Sequence, residues 1–239
     1  PMLAKSWTVS DDGLVYTFNL LTGVKFHDGT DFTSADVKYT FEANAAEGSK
    51  IKRKKRFVNM AKIETPDANT VRITLKKPRP SFLFWMGEST AVIVGEESAA
   101  TNATKPVGTG PFKFVRWVKG DSVLMEKNAD YRDAASVKLT KVKYRFIKDQ
   151  SAQIAAMMSG DLDLIPFSRA SAGLGALQAN PDIVVSFGTT EGETILSTNN
   201  KHPALAKLKV RQAIAHAIDR KEIIDGAMFG AGIPIGSHF

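Results

Sequence analysis

The chain has 239 residues, of which 43% are hydrophobic and 24% charged, values typical of soluble globular proteins. It contains no cysteine, which excludes disulfides, thiol catalysis and cysteine-based zinc or iron–sulfur sites. The formal net charge of +7 is compatible with an anionic partner, and no apolar run is long enough to span a bilayer.

Turn and cap residues dominate the first forty positions. Val15–Leu20 alternates its side chains at period two and is rich in aromatic and β-branched residues, which predicts a half-buried strand. Turn residues flank this strand at Ser10–Gly13 and His27–Thr30, where Asp side chains bond nearby backbone groups and Gly adopts positive φ. Thr33 stands three residues before Asp36, a capping-box pattern that predicts the start of a helix. With no convergent polar group nearby, the second turn is predicted to be structural rather than a site.

A run of basic residues follows that helix. Six of the seven residues in Lys50–Arg56 are Lys or Arg. The simplest interpretation is a solvated loop or helix face. Contact with an acidic ligand or lipid headgroups is a second interpretation. A nucleic-acid patch is a third, although no stacking-aromatic motif or known nucleic-acid module accompanies the run.

The residues up to about 107 complete a first segment. Val71–Leu75 alternates as a strand and is predicted to pair with the strand before Pro66. Ser81–Met86 predicts a short buried helix in which Trp85 belongs to the core, with an indole facing a ligand as the alternative. The polar run Thr101–Lys105 predicts a loop near which the chain crosses into the next domain.

The second segment begins with a glycine-rich loop at Gly108–Phe112. Such a loop can cradle phosphate when a helix follows it. Here a strand-like run follows and no Gly-Lys-Ser/Thr is present, so a nucleotide site is disfavoured. Turn residues at Gly120–Asp121 predict a hairpin between two strands, and Val142–Ile147 predicts a further strand.

A β-α-β unit is predicted next. Ser151–Ser159 places Ile154, Met157 and Met158 on one helical face, and a glycine then ends the helix. Asp161–Ile165 predicts the returning strand. Its two aspartates are predicted to be solvated, because paired-carboxylate catalysis needs a second cluster and an enclosed pocket.

Short elements fill the remainder of the chain. Leu174–Ala179 predicts a helix, and Ile183–Phe187 and Thr194–Thr198 predict strands. Val210–Ile218 predicts an amphipathic helix, and a capping box predicts a second one at Arg220–Ala227.

The amphipathic helix has an apolar stripe formed by Val210, Ile214 and Ile218. A helix gains most of its stability by burying such a stripe. We therefore predict that it packs back on the earlier segments or meets a second copy of the chain, which would give a homodimer.

No catalytic or metal-binding motif is present. The four histidines are scattered without ligand spacing, and G-x-S-x-G, H-E-x-x-H and Cys/His pairs are absent from the sequence. The sequence therefore predicts no enzyme activity, no cofactor and no metal site.

Four stretches of the chain together resemble one protein family. They are LAKSW to TFE (residues 3–42), GTGPFKFVRWVKGDSVLMEKNADYR (108–132), AAMMSGDLDLI (155–165) and NNKHPALAKLKVRQAIAHAIDRKEII (199–224). In this order they resemble the family 5 extracellular solute-binding proteins, the peptide-, dipeptide- and nickel-type receptors of bacterial ABC importers. One departure is Arg132, where many members have tryptophan.

The resemblance implies an α/β fold of the periplasmic binding protein type (type II, similar to cluster C). It implies a smaller sheet domain at residues 1–107, part of a larger α/β domain at 108–198, and the start of a third, ligand-closing domain at 199–239. The family's members are considerably longer, so the chain is predicted to be a fragment cut at both ends. Alone it is expected to bind weakly or not at all, because half a cleft cannot exclude water.

The implied function is capture of a short peptide and its delivery to the transmembrane permease subunits of an ABC importer in the periplasm. A metal chelate, an opine or a sugar is the alternative solute. Two other classes stay open: an enzyme with catalytic residues elsewhere, and a nucleic-acid-binding protein.

Five residues are predicted to contact the ligand. Ile195, Ser197 and Asn199 lie where, by resemblance, the chain crosses to the third domain and meets the backbone of a bound peptide. Gly108 belongs, by resemblance, to the loop near the interdomain crevice, and Trp85 is the possible ligand-facing indole. The alternative for Asn199 is a turn residue that caps its own backbone.

Overall fold

The computed structural model describes residues 2–166, 173–188 and 192–236. The chain forms two compact units, Pro1–Phe146 and Ile147–Phe239. Within the described ranges, every helix is too short or too polar to cross a membrane. The predicted domain ends at 107 and 198 stay predictions, because the two units follow packing within this chain alone.

A four-stranded antiparallel sheet organises the first unit. Its strands are β1 (Ala4–Val9), β2 (Val15–Leu20), β3 (Met60–Asp67) and β4 (Thr70–Leu75), in the order β1-β2-β4-β3. The predicted strands at 15–20 and 71–75 are confirmed, as is the pairing of β4 with the strand that contains Pro66. The β3–β4 register shifts between Glu64 and Asp67, and an irregularity of this kind accommodates a residue that has no N–H to donate.

The helices of this unit cover the sheet. They are α1 (Ser34–Ala45), α2 (Lys55–Val58) and α3 (Phe82–Met86). The predicted capping box opens α1: Thr33 Oγ1 accepts from the Ala35 N–H, and Asp36 Oδ2 accepts from the Thr33 N–H at 2.8 Å. This box satisfies amide groups that the first helical turn leaves without a partner.

Aromatic side chains close the core of the first unit. The Tyr16 and Phe82 rings lie 4.5 Å apart, and the Phe41 and Phe57 rings 5.7 Å apart. Tilted contacts of this kind add to the free energy gained by burial. The buried cluster consists of Tyr16, Leu20, Val24, Phe26, Phe32, Val37, Phe41, Phe57, Met60, Val71, Ile73, Leu75 and Phe82.

A three-stranded antiparallel sheet completes the first unit. It contains β5 (Phe112–Val118), β6 (Ser122–Lys127) and β7 (Lys141–Arg145), paired in that order. Gly120, at φ +78°, forms the predicted hairpin turn between β5 and β6, in a conformation that glycine adopts at little cost.

The second unit contains four helices within its described residues. They are α4 (Gln150–Met158), α5 (Leu174–Ala179), α6 (Leu208–Ala217) and α7 (Arg220–Ala227), and all four were predicted. Asp219 caps α7 by accepting from the backbone N–H groups of residues 221 and 222.

The strands predicted in the second unit were wrong. Asp161–Ile165, Ile183–Phe187 and Thr194–Thr198 have neither helical nor strand structure. A strand exists only with a hydrogen-bonded neighbour, and the described residues of this unit provide none. Large apolar side chains in these segments are exposed, among them Leu164, Val184 and Leu196.

Two apolar faces predicted in this unit are only partly buried. Met158 on α4 is 45% exposed, so its predicted place in a core was wrong. On α6 and just beyond it, Val210, Ile214 and Ile218 are half-buried, whereas Leu208 on the same helix is exposed.

The turn at residues 27–30 has the predicted Asp-centred geometry. Asp28 Oδ1 accepts from the Thr30 N–H at 3.1 Å and from the Thr30 hydroxyl at 2.7 Å. The hydrogen bond from the Thr30 side chain lowers the pKa of Asp28. Gly29 follows at φ +92°.

We predict that Asp28→Ala lowers the free energy of unfolding by about 1 kcal/mol, as expected for the loss of a local side-chain cap. Because the pKa of Asp28 is lower in the folded chain, its stabilisation is complete above its ordinary pKa of 3.8. It is lost as the pH falls through the folded value. Urea unfolding at pH 7 and near pH 3 measures both effects.

Asp11→Ala, in the preceding turn, is the control and is expected to change stability by less than about 0.5 kcal/mol. Full stability of Asp28→Ala at pH 7 would contradict the structural role of Asp28.

Candidate functional site

The predicted ligand contact Gly108 lies in a loop that is fastened to the turn at His27. The His27 N–H donates to the Gly108 carbonyl at 2.8 Å. The Gly108 N–H donates to His27 Nδ1 at 3.3 Å, and His27 Nε2 bonds the Gly110 carbonyl at 3.0 Å. The turn and the loop, about 80 residues apart in the chain, are thus joined through one residue.

These partners specify the tautomer of His27. Nδ1 faces an N–H group and must accept, while Nε2 faces a carbonyl and must donate. The neutral imidazole with its proton on Nε2 satisfies both contacts. Burial lowers the pKa of His27, and the positive charge of Lys113 adds to this; the Gly110 carbonyl and Asp28 act in the opposite direction.

A buried asparagine holds the same loop from another side. Asn128 is 2% exposed, and its Nδ2 donates to the Gly110 carbonyl at 3.2 Å. Its backbone N–H donates to the Pro111 carbonyl at 2.8 Å, and its Oδ1 accepts from the Asp130 N–H. The Gly110 carbonyl therefore has two side-chain donors, His27 and Asn128.

A small cleft lies beside this loop. Thr109 lines it together with Lys25, Tyr131 and Arg132. Its volume is about 10 Å³, which is about the space of one water molecule. This cleft alone is too small to enclose a peptide.

The predicted contact Trp85 is half-buried on α3. Phe82 of the same helix is buried in the core, whereas Phe84 is 74% exposed. The Arg56 guanidinium lies 4.6 Å from the centre of the Trp85 ring, and Arg56 Nη1 bonds Glu88 Oε2 at 2.6 Å. The position of Trp85 is thus intermediate between the two predicted alternatives, with one face of its ring occupied by a cation.

Part of the basic run Lys50–Arg56 is used internally. Arg53 and Arg56 both pair with Glu88, and Lys54 donates to the Glu47 carbonyl. The hydrogen bond from Arg56 lowers the pKa of Glu88. These contacts make half of the run part of the first unit's own packing, and the remaining lysines are exposed.

The other three predicted contacts lie in the second unit. Ile195 is 56% exposed, and Ser197 and Asn199 are exposed as well. Within the described residues, the main chain of 194–198 makes no hydrogen bond. Asn199 Oδ1 accepts from the Lys201 N–H at 3.0 Å, which is the self-capping turn considered as its alternative.

The five predicted contacts thus form two groups, Trp85 and Gly108 in the first unit and the other three in the second. Sequence reasoning missed the role of His27 beyond its own turn. It placed Asn128 in a stretch that resembles the family but missed that this side chain is buried and holds the Gly108–Gly110 loop. A polar residue directly after a strand-like run was the available signal for Asn128, but its partner could not be foreseen.

The described residues contain no group of three or more His, Cys, Asp or Glu side chains placed to hold a metal ion. Asp161 and Asp163 are both exposed, as predicted for solvated carboxylates.

Comparison with known proteins identifies the family. The model of bacterial extracellular solute-binding proteins, family 5 (middle), matches residues 1–239. The glutathione-binding protein GsiB of Escherichia coli O1:K1 / APEC is 32% identical over 98% of this chain and 46% of its own length. A putative ABC transporter peptide-binding protein of Brucella ovis is 36% identical over 97% of this chain and 45% of its own length.

Solved structures resemble the chain over nearly its whole length. NikZ from Campylobacter jejuni in complex with Ni(L-His) has a TM-score of 0.83 and 30% identity, over 96% of this chain and 47% of its own. DppA from Helicobacter pylori in complex with the peptide STSA has a TM-score of 0.80 and 32% identity, over 96% and 50%. The chain spans about half the length of these relatives. Their fold is that of the periplasmic binding proteins, as predicted, and the chain belongs to the bacterial extracellular solute-binding proteins of family 5.

Proposed function

We propose that this chain is part of the substrate-binding component of an ABC importer, which captures a short peptide in an interdomain cleft of the whole protein. The observation that supports a peptide most directly is the segment 194–198, whose main-chain groups make no hydrogen bond within the described residues; residues 194–197 are exposed and Thr198 is half-buried. An extended peptide can bind such a segment through its own main chain, as in strand addition.

The side chains of this segment suit a ligand of variable sequence. Main-chain hydrogen bonds contribute affinity without reading side chains, while flanking side chains shape the pockets. Ile195 would supply apolar contact and Ser197 a hydroxyl, and the Asn199 amide NH₂ is not engaged by the Lys201 bond. Gly108 and Trp85 are also proposed contacts. Gly108 would contact the ligand through the side that does not face His27, and Trp85 through the part of its ring that Arg56 does not cover.

A non-peptide solute is the alternative. AgaA, solved in complex with agropinic acid, is 35% identical to this chain with a TM-score of 0.78, and NikZ was solved with Ni(L-His). We favour a peptide because the curated relatives include proteins named as peptide-binding and DppA was solved with one.

The family's role supports a proposal for the partner and the compartment. We propose a periplasmic location and delivery to the transmembrane permease subunits of the importer. We propose no catalytic activity, because the relatives and solved structures that the chain resembles are named as binding proteins. Nucleic-acid binding through Lys50–Arg56 is disfavoured, because Arg53 and Arg56 pair with Glu88 and the Trp85 face that could stack on a base contacts Arg56.

We predict that Ser197→Pro weakens peptide binding at least tenfold, because proline removes an N–H within the proposed pairing segment. Ser197→Ala is the matched control: it keeps the main chain, and we expect less than a threefold change. Calorimetric titration of the complete gene product with a tetrapeptide measures both. Equal losses in the two variants would assign binding to the hydroxyl, and unchanged affinity in Ser197→Pro would contradict the segment's role.

The class of ligand is tested separately. Native mass spectrometry of the complete gene product, as purified, weighs any bound molecule. Thermal shifts with a dipeptide, a tetrapeptide, Ni(L-His) and agropinic acid then compare the classes, because a ligand that binds only the folded state raises the melting temperature. A shift with agropinic acid or Ni(L-His) and none with the peptides would overturn the peptide proposal.

Homodimer formation through α6 is also kept as a proposal. Its apolar stripe is half-buried in this chain, so a second copy could bury only the remainder. That remainder is worth less than the roughly 5 kcal/mol that complete burial of three aliphatic side chains would give at most. We predict that Ile214→Asp abolishes self-association in a sedimentation dilution series. Leu208→Asp, exposed on the same helix, is the control and should leave it unchanged. A monomer at every concentration of the wild-type chain would contradict the dimer.

A further inference from the structure

We propose that His27 is a positioning residue whose neutral ring is needed to hold the N–H of Gly108, so that acidification breaks this one bond while the bond from His27 Nε2 to the Gly110 carbonyl persists. The proposal does not depend on the identity of the ligand. It concerns contacts that lie entirely within the first unit.

The two ring contacts of His27 are satisfied only by the neutral imidazole with its proton on Nε2. Both ring nitrogens bond the loop backbone, Nδ1 to the Gly108 N–H at 3.3 Å and Nε2 to the Gly110 carbonyl at 3.0 Å. A second proton would sit on Nδ1 and point at an N–H group. The Gly108 bond would then be lost and replaced by a contact between two donors, whereas the Nε2 bond would persist and gain charge assistance.

The release is local because the loop has other attachments. Asn128 donates to the same Gly110 carbonyl, and its backbone N–H bonds the Pro111 carbonyl. The His27 N–H also bonds the Gly108 carbonyl, and this bond does not titrate. Acidification should therefore free one amide and its neighbourhood rather than unfold the unit.

Burial, the hydrogen bond to the Gly110 carbonyl and nearby charges together set the pH at which His27 takes up the second proton. Burial has the largest effect, and Lys113 at the start of β5 acts in the same direction; both lower the pKa of His27 from its ordinary 6.5. Asp28 in the turn acts in the opposite direction. Lys113 is itself paired with Asp130 at 3.3 Å, which moderates its influence.

The sign of the pH dependence follows from the lowered pKa. Above pH 6.5 His27 is neutral in both the folded and the unfolded chain, and its stabilising contribution is complete. As the pH falls below 6.5 the unfolded chain takes up the proton first, and the contribution is lost as the pH passes through the folded pKa. The bond from the Gly108 N–H is thus intact above pH 6.5 and is lost as the pH falls through the folded pKa of His27.

Nuclear magnetic resonance of the 239-residue chain tests the proposal. Long-range ¹H–¹⁵N correlations should show the His27 proton on Nε2 at pH 7.5. The exchange rate of the Gly108 amide, divided by that of the Leu20 amide, should rise roughly tenfold as His27 titrates. The Leu20 N–H bonds the Asn69 carbonyl and supplies an internal reference for the intrinsic pH dependence of exchange.

Two variants separate the positioning role of His27 from nonspecific effects of low pH. The Gln side chain of His27→Gln cannot take up a proton. The ratio of the Gly108 and Leu20 amide exchange rates should therefore be the same at pH 7.5 and below the pH at which His27 titrates in the wild type. His216→Gln, at an exposed histidine near the end of α6, should behave as the wild type. A proton on Nδ1 at pH 7.5, a Gly108 rate that does not follow the His27 titration, or an unchanged pH dependence in His27→Gln would each overturn the proposal. If His27→Gln does not fold, the wild-type titration alone decides.

Discussion

The pairing of β2 with β4 is the constraint on which the first unit depends. It sets Tyr16 opposite Ile73 and Phe18 opposite Val71, and it makes Val71 and Ile73 completely inaccessible to water. Because side chains alternate along a strand, this register decides which residues face α1 and α3. A slip by one residue would expose the buried set, so the aromatic contacts around Phe82 and Phe57 all rely on the same pairing.

Local chemistry explains why much of the fold could be predicted. The α1 capping box, the cap at Asp219 and the positive-φ glycine at 120 are each set by residues within a few positions of one another. The strand predictions in the second unit were wrong because strand formation depends on a partner that can be distant in the sequence. Thr194–Thr198 has the side-chain pattern of a strand, but strand formation needs a neighbouring chain segment, and the described residues of the second unit supply none. Periodicity reports which side chains alternate, not whether the main chain finds a partner.

The candidate site shows the same division between local and distant information. The self-capping of Asn199 involves only the next two residues, and the sequence suggested it as an alternative. The attachment of the Gly108–Gly110 loop to His27 joins residues about 80 positions apart in the sequence. It uses backbone groups of glycines, whose residue type gives no indication of a hydrogen-bonding role. Neither the tautomer of His27 nor the burial of Asn128 could be deduced before these segments were seen together.

Electrostatic pairing also limits what composition can say about partners. The basic run suggested an anionic partner, but Glu88 accepts from both Arg53 and Arg56, and Arg56 lies against Trp85. Such pairs contribute little to stability where they are exposed, but they fix the guanidinium groups in place. The cations of this run are therefore divided between packing and solvent, and the net charge overstates the surface available for an anionic partner. Groups that are already paired within the chain are less available to a ligand. The main-chain groups of 194–198, which have no hydrogen-bond partner among the described residues, are therefore better candidates for ligand binding than the basic run.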